Sequence, residues 1–114
     1  MQPSTIIKAL GALAQEHRLL AFRHLVQAGH LGMPAGTLAE TLGVPPSSMS
    51  FHLAQLTHAG LVTQRRNGRS IIYAADFETM NELMGYLTEN CCGGTPCLPA
   101  VDCPTLICED QNAA

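Results

Sequence analysis

The stretch Thr37 to Tyr73, TLAETLGVPPSSMSFHLAQLTHAGLVTQRRNGRSIIY, decides the fold. Thr37 to Leu42 has the apolar spacing of a short helix, and Gly43 closes it. Pro45-Pro46-Ser47 then punctuates the chain before a second helix, Ser48 to Ala59, whose Met49, Leu53 and Leu56 share one face. Short helix, tight turn, second helix is the helix-turn-helix pattern. Two strand-like runs follow, Leu61 to Arg66 and Arg69 to Ala74. Between them lies Asn67-Gly68, the strongest short-range signal for a hairpin with a type I′ turn.

Helices flank this unit on both sides. Pro3-Ser4 followed by Ile6, Ile7, Leu10 and Leu13 predicts a first helix with one apolar stripe. A second runs from about Gln15 to Ala28, with Leu19, Leu20, Phe22, Leu25 and Val26 expected inside and Gly29 ending it. Gly32 and Pro34 make His30 to Pro34 a loop. Asp76 caps a last helix that reaches about Glu89, carrying Phe77, Met80, Leu83, Met84 and Leu87 along one stripe. From Cys91 onward Gly93-Gly94, Pro96, Pro99 and Pro104 forbid regular structure. The expected organisation is a mainly helical winged helix-turn-helix over residues 1–90 and a cysteine-rich tail over 91–114.

At 114 residues and 46% apolar, the chain has one domain's worth of core, and with two Tyr, three Phe and no Trp that core is aliphatic. No apolar run approaches the roughly 20 residues of a membrane span. Met1-Gln2-Pro3-Ser4 has no basic region and no apolar run behind it, so no secretory signal is expected and the cytoplasm is the expected location. The cysteines should then be thiols.

Charge is divided along the chain. Residues 1–75 hold six bases against two acids, a net +4; residues 76–114 hold seven acids and no Lys or Arg, a net −7. This asymmetry pairs an anion-binding part with one that must not bind anions. The candidate DNA readers are Ser47, Ser48, Ser50, His52 and Gln55, at or near the N-terminal half of the helix after the turn. That end of a recognition helix meets the major groove, where short hydroxyls reach phosphates and base edges. The hairpin tip, Arg65, Arg66, Asn67 and Arg69 around Gly68, puts three guanidiniums on a narrow ribbon suited to the DNA backbone or a minor groove. Singly these features are ordinary: serines before a helix usually cap it, and arginines on a hairpin usually guard an edge. Their fixed order is what points to double-stranded DNA.

Three segments carry a family resemblance: Leu13-Ala14 with Arg18-Leu19, Thr37-Leu38-Ala39-Glu40 with Gly43, and the whole run Pro46 to Tyr73. Within that run, Ser50-(x)-His52-Leu53 and Ala59-Gly60-Leu61-Val62 are specific. Over roughly residues 4–90 the chain resembles the ArsR/SmtB winged-helix repressors. The resemblance implies a homodimer on a palindromic operator, with the first and last helices packing across the dyad, released from DNA by a metal or metalloid. Two common sensing arrangements of that family are absent. Gly29 to Leu42 has no Cys-x-Cys pair, and Phe77 to Asn90 has no histidine to join Asp76. The C-terminal cluster is instead similar to that of arsenic-responsive members using an adjacent cysteine pair and a third cysteine nearby.

That cluster has chemical sense of its own. All five cysteines fall within the tail: Cys91, Cys92, Cys97, Cys103 and Cys108. Three thiolates suit a thiophilic trivalent ion such as As(III) or Sb(III), and Cys91, Cys92 and Cys97 are the expected ligands. Adjacent residues on a regular helix point about 100° apart, so the helix must end before the pair can grip one ion. Zinc would take a fourth ligand from Cys103 or Cys108, and a Cys91–Cys97 disulfide would make a redox switch instead. His17 and His24 are expected at the surface or the dimer seam and are assigned no metal. No catalysis is expected: a thiol oxidoreductase or arsenate reductase needs a cation beside its nucleophile, and no Lys or Arg follows Arg69.

Overall fold

The computed structural model of the protein describes residues 2–94. Five helices follow the apolar periods of the sequence: α1 Pro3–Leu13, α2 Glu16–Ala28, α3 Ala35–Leu42, α4 Pro46–His58 and α5 Phe77–Leu87. Pro3 and Pro46 sit in the first turns of α1 and α4, where a missing N–H costs nothing. At α5 the cap is the expected one, with Thr79 N–H donating to Asp76 Oδ1 at 3.1 Å. Leu25 from α2, Leu38 from α3, Met49, Leu53 and Leu56 from α4 and Leu61 after it are fully buried at the centre. Each such side chain contributes about 1.5–3 kcal/mol by leaving water. Helix α4 is therefore bolted to the core along its inner face.

The wing is three-stranded. β2 Val62–Asn67 and β3 Ser70–Ala75 form the hairpin, and a two-residue strand, β1 Met33–Pro34, adds to the far edge of β3 in the antiparallel order β1-β3-β2. Residues 30–34, read from sequence as a loop, thus hold the end of a 3-10 turn at Gly29–Leu31 and this short strand. Gly32 makes the approach possible. Its φ is +71°, and a Cβ there would run into the Tyr73 carbonyl oxygen and sit 3.0 Å from Ile72 Cγ2.

The hairpin turn also differs from the sequence expectation. Asn67 pairs with Ser70, so the two central residues are Gly68 and Arg69 rather than Asn67 and Gly68. Gly68 has φ +65°, while Arg69 has no positive φ, the pattern of a type II′ turn with glycine first. The register has a physical reason. A turn centred on Asn67-Gly68 would set Arg66 directly opposite Arg69, whereas here Arg66 faces Ile71 and Arg65 faces Ile72.

Three helical stripes are narrower than the sequence suggests. On α1 the buried residues are Ile6, Ala9 and Ala12, leaving Ile7 and Leu10 exposed. On α2 Leu19 is exposed while Ala21, Phe22 and Leu25 are buried. On α5 Leu83 is buried, with Phe77 and Met80 against the core, but Met84 and Leu87 are exposed.

The chain divides into two compact units between Met84 and Gly85. In the second, the last residues of α5 lead through Asn90, in the left-handed region at φ 57°, to a 3-10 turn at Cys91–Gly94. There Cys91 N–H donates to the Thr88 carbonyl at 3.0 Å. Helix α5 thus stops at Leu87, two residues before the expected Glu89. Among the described residues no helix is long and apolar enough to cross a membrane.

Candidate nucleic-acid interface

The site is built on α4. Its N-cap is Pro45, which has no side chain able to cap, so the serines that the sequence places before the helix lie inside its first turns. Ser47 and Ser50 are exposed and Ser48 is half-buried. Ser47 and Ser48 are in the opening turn, whose backbone N–H groups have no i−4 carbonyl within the helix; the first such bond runs from Met49 N–H to the Pro45 carbonyl at 3.0 Å. That end of α4 combines hydroxyls, N–H donors and the positive end of the helix dipole, a combination suited to phosphate and polar base edges.

One turn further on, α2 reaches α4. Arg18 Nε donates to His52 Nδ1 at 3.3 Å. The Arg18 guanidinium carbon also lies 5.7 Å from the centre of the Phe51 ring, a cation–π contact. The His52 ring is edge-on to Phe51 at 6.0 Å and tilted against His17 at 5.8 Å. Burial, then the Arg18 charge, then His17 hold the His52 pKa below the ordinary histidine value of 6.5. His52 is therefore neutral at pH 7 and, accepting at Nδ1, carries its proton on Nε2 as a donor. Arg18 is itself fixed at the start of α2, where its N–H donates to Gln15 Oε1 at 3.0 Å.

Gln55 belongs to a different surface from the serines. With Lys8, Gly11, Arg18 and His58 it lines an open cavity of about 230 Å³ between α1, α2 and the C-terminal half of α4. Phe51, by contrast, is 56% exposed on the outer side of α4.

The wing's basic residues also part company. Arg65 turns back: Nη2 donates to the Leu31 carbonyl at 2.9 Å and Nη1 to that of His30 at 3.4 Å. It ties β2 to the turn before β1. Arg66, Asn67 and Arg69 are exposed around the tip. Of the tail residues, Cys91 is half-buried in the 3-10 turn that it shares with Cys92. Cys97, Cys103 and Cys108 lie outside the described residues.

Sequence reasoning missed three members of this arrangement: His17, Arg18 as a contact to α4, and Phe51. Arg18 and His52 are 34 residues apart, and no local period joins them. The one available signal was Phe51 itself, an aromatic at a position where the helical pattern wants a polar residue.

Comparison with known proteins bears on the fold that carries these residues. A family model described as "Helix-turn-helix domain" matches residues 13–65, from the end of α1 into β2. The nodulation protein NolR of Rhizobium meliloti is 32% identical over 80 residues, covering 70% of this chain and 63% of that protein, so the match spans less than two thirds of its length. The HTH-type transcriptional regulator YgaV of Escherichia coli strain K12 is 31% identical over 83 residues, covering 73% of this chain and 82% of that one. Among solved structures, the homodimeric winged helix-turn-helix DNA-binding domain of a possible ArsR-family regulator from Mycobacterium bovis superimposes with a TM-score of 0.63. It is 25% identical and covers 75% of this chain and 76% of its own.

Proposed function

The chain belongs to the ArsR family of winged helix-turn-helix transcriptional regulators, and from that premise we propose that it is a metalloid-responsive repressor. It binds operator DNA as a homodimer, reads bases with α4, holds phosphates with the wing and lets go when As(III) or Sb(III) binds its C-terminal thiolates. The observation that carries the DNA half is the start of α4: exposed serines spend no side chain on capping, beside a neutral His52 oriented by Arg18. Ser47, Ser48, Ser50 and His52 are the assigned readers, with Gln55 behind them. Arg66, Asn67 and Arg69 are assigned to the backbone, and Arg65 holds the wing at its root.

Dimerisation is supported by the apolar side chains that α1 and α5 present to solvent. Ile7 is 69% and Leu10 41% exposed on α1, and Met84 is 55% exposed on α5. Covering these against a second copy would set the two α4 helices for successive major grooves, about 34–36 Å apart.

The inducer half rests on donor chemistry. Cys91, Cys92 and Cys97 offer soft thiolates and the tail offers no base to attract an oxyanion. Cys91 lies in the 3-10 turn separated by three residues from the end of α5, so capture of an ion there has a way to act on the end of a dimerisation helix.

A gel-shift on the DNA upstream of the protein's own gene, titrated with arsenite, zinc and peroxide, tests the reading. Arsenite is expected to release the wild type, while Cys91→Ser, Cys92→Ser and Cys97→Ser each bind but ignore arsenite. Release by zinc alone or peroxide alone would replace the metalloid assignment by a zinc or redox one. Absence of any shift would remove the DNA assignment.

A further inference from the structure

We propose that Phe51 is a specificity-determining residue of the reading helix, an apolar probe that selects the 5-methyl group of a thymine in each operator half-site. The inference rests on the DNA-binding reading above and adds to it a residue and the chemical group that residue recognises.

Phe51 lies between Ser50 and His52, on a helix side that also carries exposed Ser47 and Ala54. It is the largest side chain on that outer face, and 56% of it faces solvent. An exposed apolar residue is by itself unremarkable. What sets this ring apart is that its orientation is fixed from behind. Arg18 approaches it as a cation–π partner at 5.7 Å, and the His52 ring meets it in a T-shaped contact at 6.0 Å. Arg18 is in turn held by its hydrogen bond to His52 and its backbone bond to Gln15. A solvent-facing aromatic contacted on its protein side by two groups, Arg18 of α2 and His52 of α4, is prepared to meet a surface.

The major groove gives such a ring one apolar feature to meet. Its floor displays hydrogen-bond donors and acceptors at every base pair, and only thymine adds a methyl group. A phenyl ring cannot replace the water it strips from a guanine O6 or a cytosine N4, so those neighbours are penalised. Beside a thymine the same ring buries a methyl instead. The discrimination this adds is modest, about fourfold for one buried methyl. In a symmetric dimer it acts once per half-site. Arg18 is a positioning residue in this scheme: it touches the ring on the protein side and leaves the outer side to the base.

Deoxyuridine lacks only the methyl group of thymidine, so the test changes that group and nothing else in the base. The wild-type protein first selects its preferred duplex from a random-sequence library. That duplex is then resynthesised with each thymine replaced singly by uracil, and binding is measured for wild type and Phe51→Ala. Wild type should lose about fourfold at one thymine per half-site, and Phe51→Ala should bind the thymine and uracil forms of that position equally. Phe51 is exposed, so Phe51→Ala should melt at the wild-type temperature, which separates a lost contact from a lost fold. Arg18→Ala, with the ring intact but unsupported, should discriminate less than wild type at the same position. No uracil effect in wild type, or an effect undiminished in Phe51→Ala, overturns the proposal while leaving the regulator assignment standing. Failure of the wild type to select any duplex overturns both.

Discussion

Helix α4 and the wing, the two parts assigned above to DNA, are held in opposite ways. Along α4, Met49, Leu53 and Leu56 are completely buried, and from the next helix over Arg18 pins His52 and Phe51. Along the hairpin every residue from 63 to 70 is exposed, and the one long anchor is Arg65 on the His30 and Leu31 carbonyls. The difference matches what each is proposed to do. Telling one base edge from another demands side chains fixed by packing and by neighbouring hydrogen bonds. Holding a phosphate demands charge and reach, and tolerates a ribbon that adjusts.

The largest expected effect breaks the comparison at its rigid side. Leu53→Ala removes a fully buried side chain where α4 meets the core and should cost about 2–5 kcal/mol of stability, read from a urea unfolding midpoint. A loss near zero would mean that α4 is not anchored as described. Next comes the wing. Arg66→Ala with Arg69→Ala should leave the unfolding midpoint unchanged and flatten the salt dependence of DNA binding by about 0.9 for each phosphate contact removed. Arg65→Ala should do the reverse in part, lowering stability through the lost carbonyl contacts, so equal behaviour of Arg65 and Arg69 variants would erase the distinction drawn between root and tip.

Smaller still is a pH effect at the junction of α2 and α4. Because the folded His52 pKa lies below 6.5, the unfolded chain binds more protons as pH falls past that value. The stabilisation from His52 is full above pH 6.5 and is lost as pH drops through the depressed folded value. Melting temperatures between about pH 7.5 and 5.5 should therefore decline more steeply for wild type than for His52→Asn, bracketing the ordinary histidine pKa. Parallel curves would mean that His52 is not held neutral by its neighbours.

How much of this was legible in the sequence depends on how far apart the interacting residues lie. The helices could be read because apolar spacing, prolines at starts and glycines at ends are local signals. Cap and stripe on α5 were equally local, through Asp76 and Leu83. The hairpin was visible, but its turn was shifted by one residue, since Asn-Gly was weighed without the Arg66–Arg69 clash that its register would create. Strand β1 was hidden: two residues ending in proline carry no period, and only the tight passage of Gly32 past Tyr73 shows why the chain pairs there. The site was legible as a set of residue types and not as an arrangement. That Arg65 serves the fold, that Gln55 faces a cavity, and that Arg18 grips Phe51 and His52 all depend on contacts across 30 residues or more.

The division of labour between helix and wing has one direct test. Binding of wild type, the Arg66→Ala/Arg69→Ala double variant and Ser48→Ala is measured on the selected operator and on a scrambled duplex, between about 50 and 200 mM salt. The wing variant should lose the same factor on both duplexes with a shallower salt slope, and Ser48→Ala should lose affinity for the operator alone with the slope unchanged. A wing variant that loses preference for the operator, or a Ser48 variant that weakens both duplexes equally, would contradict the account.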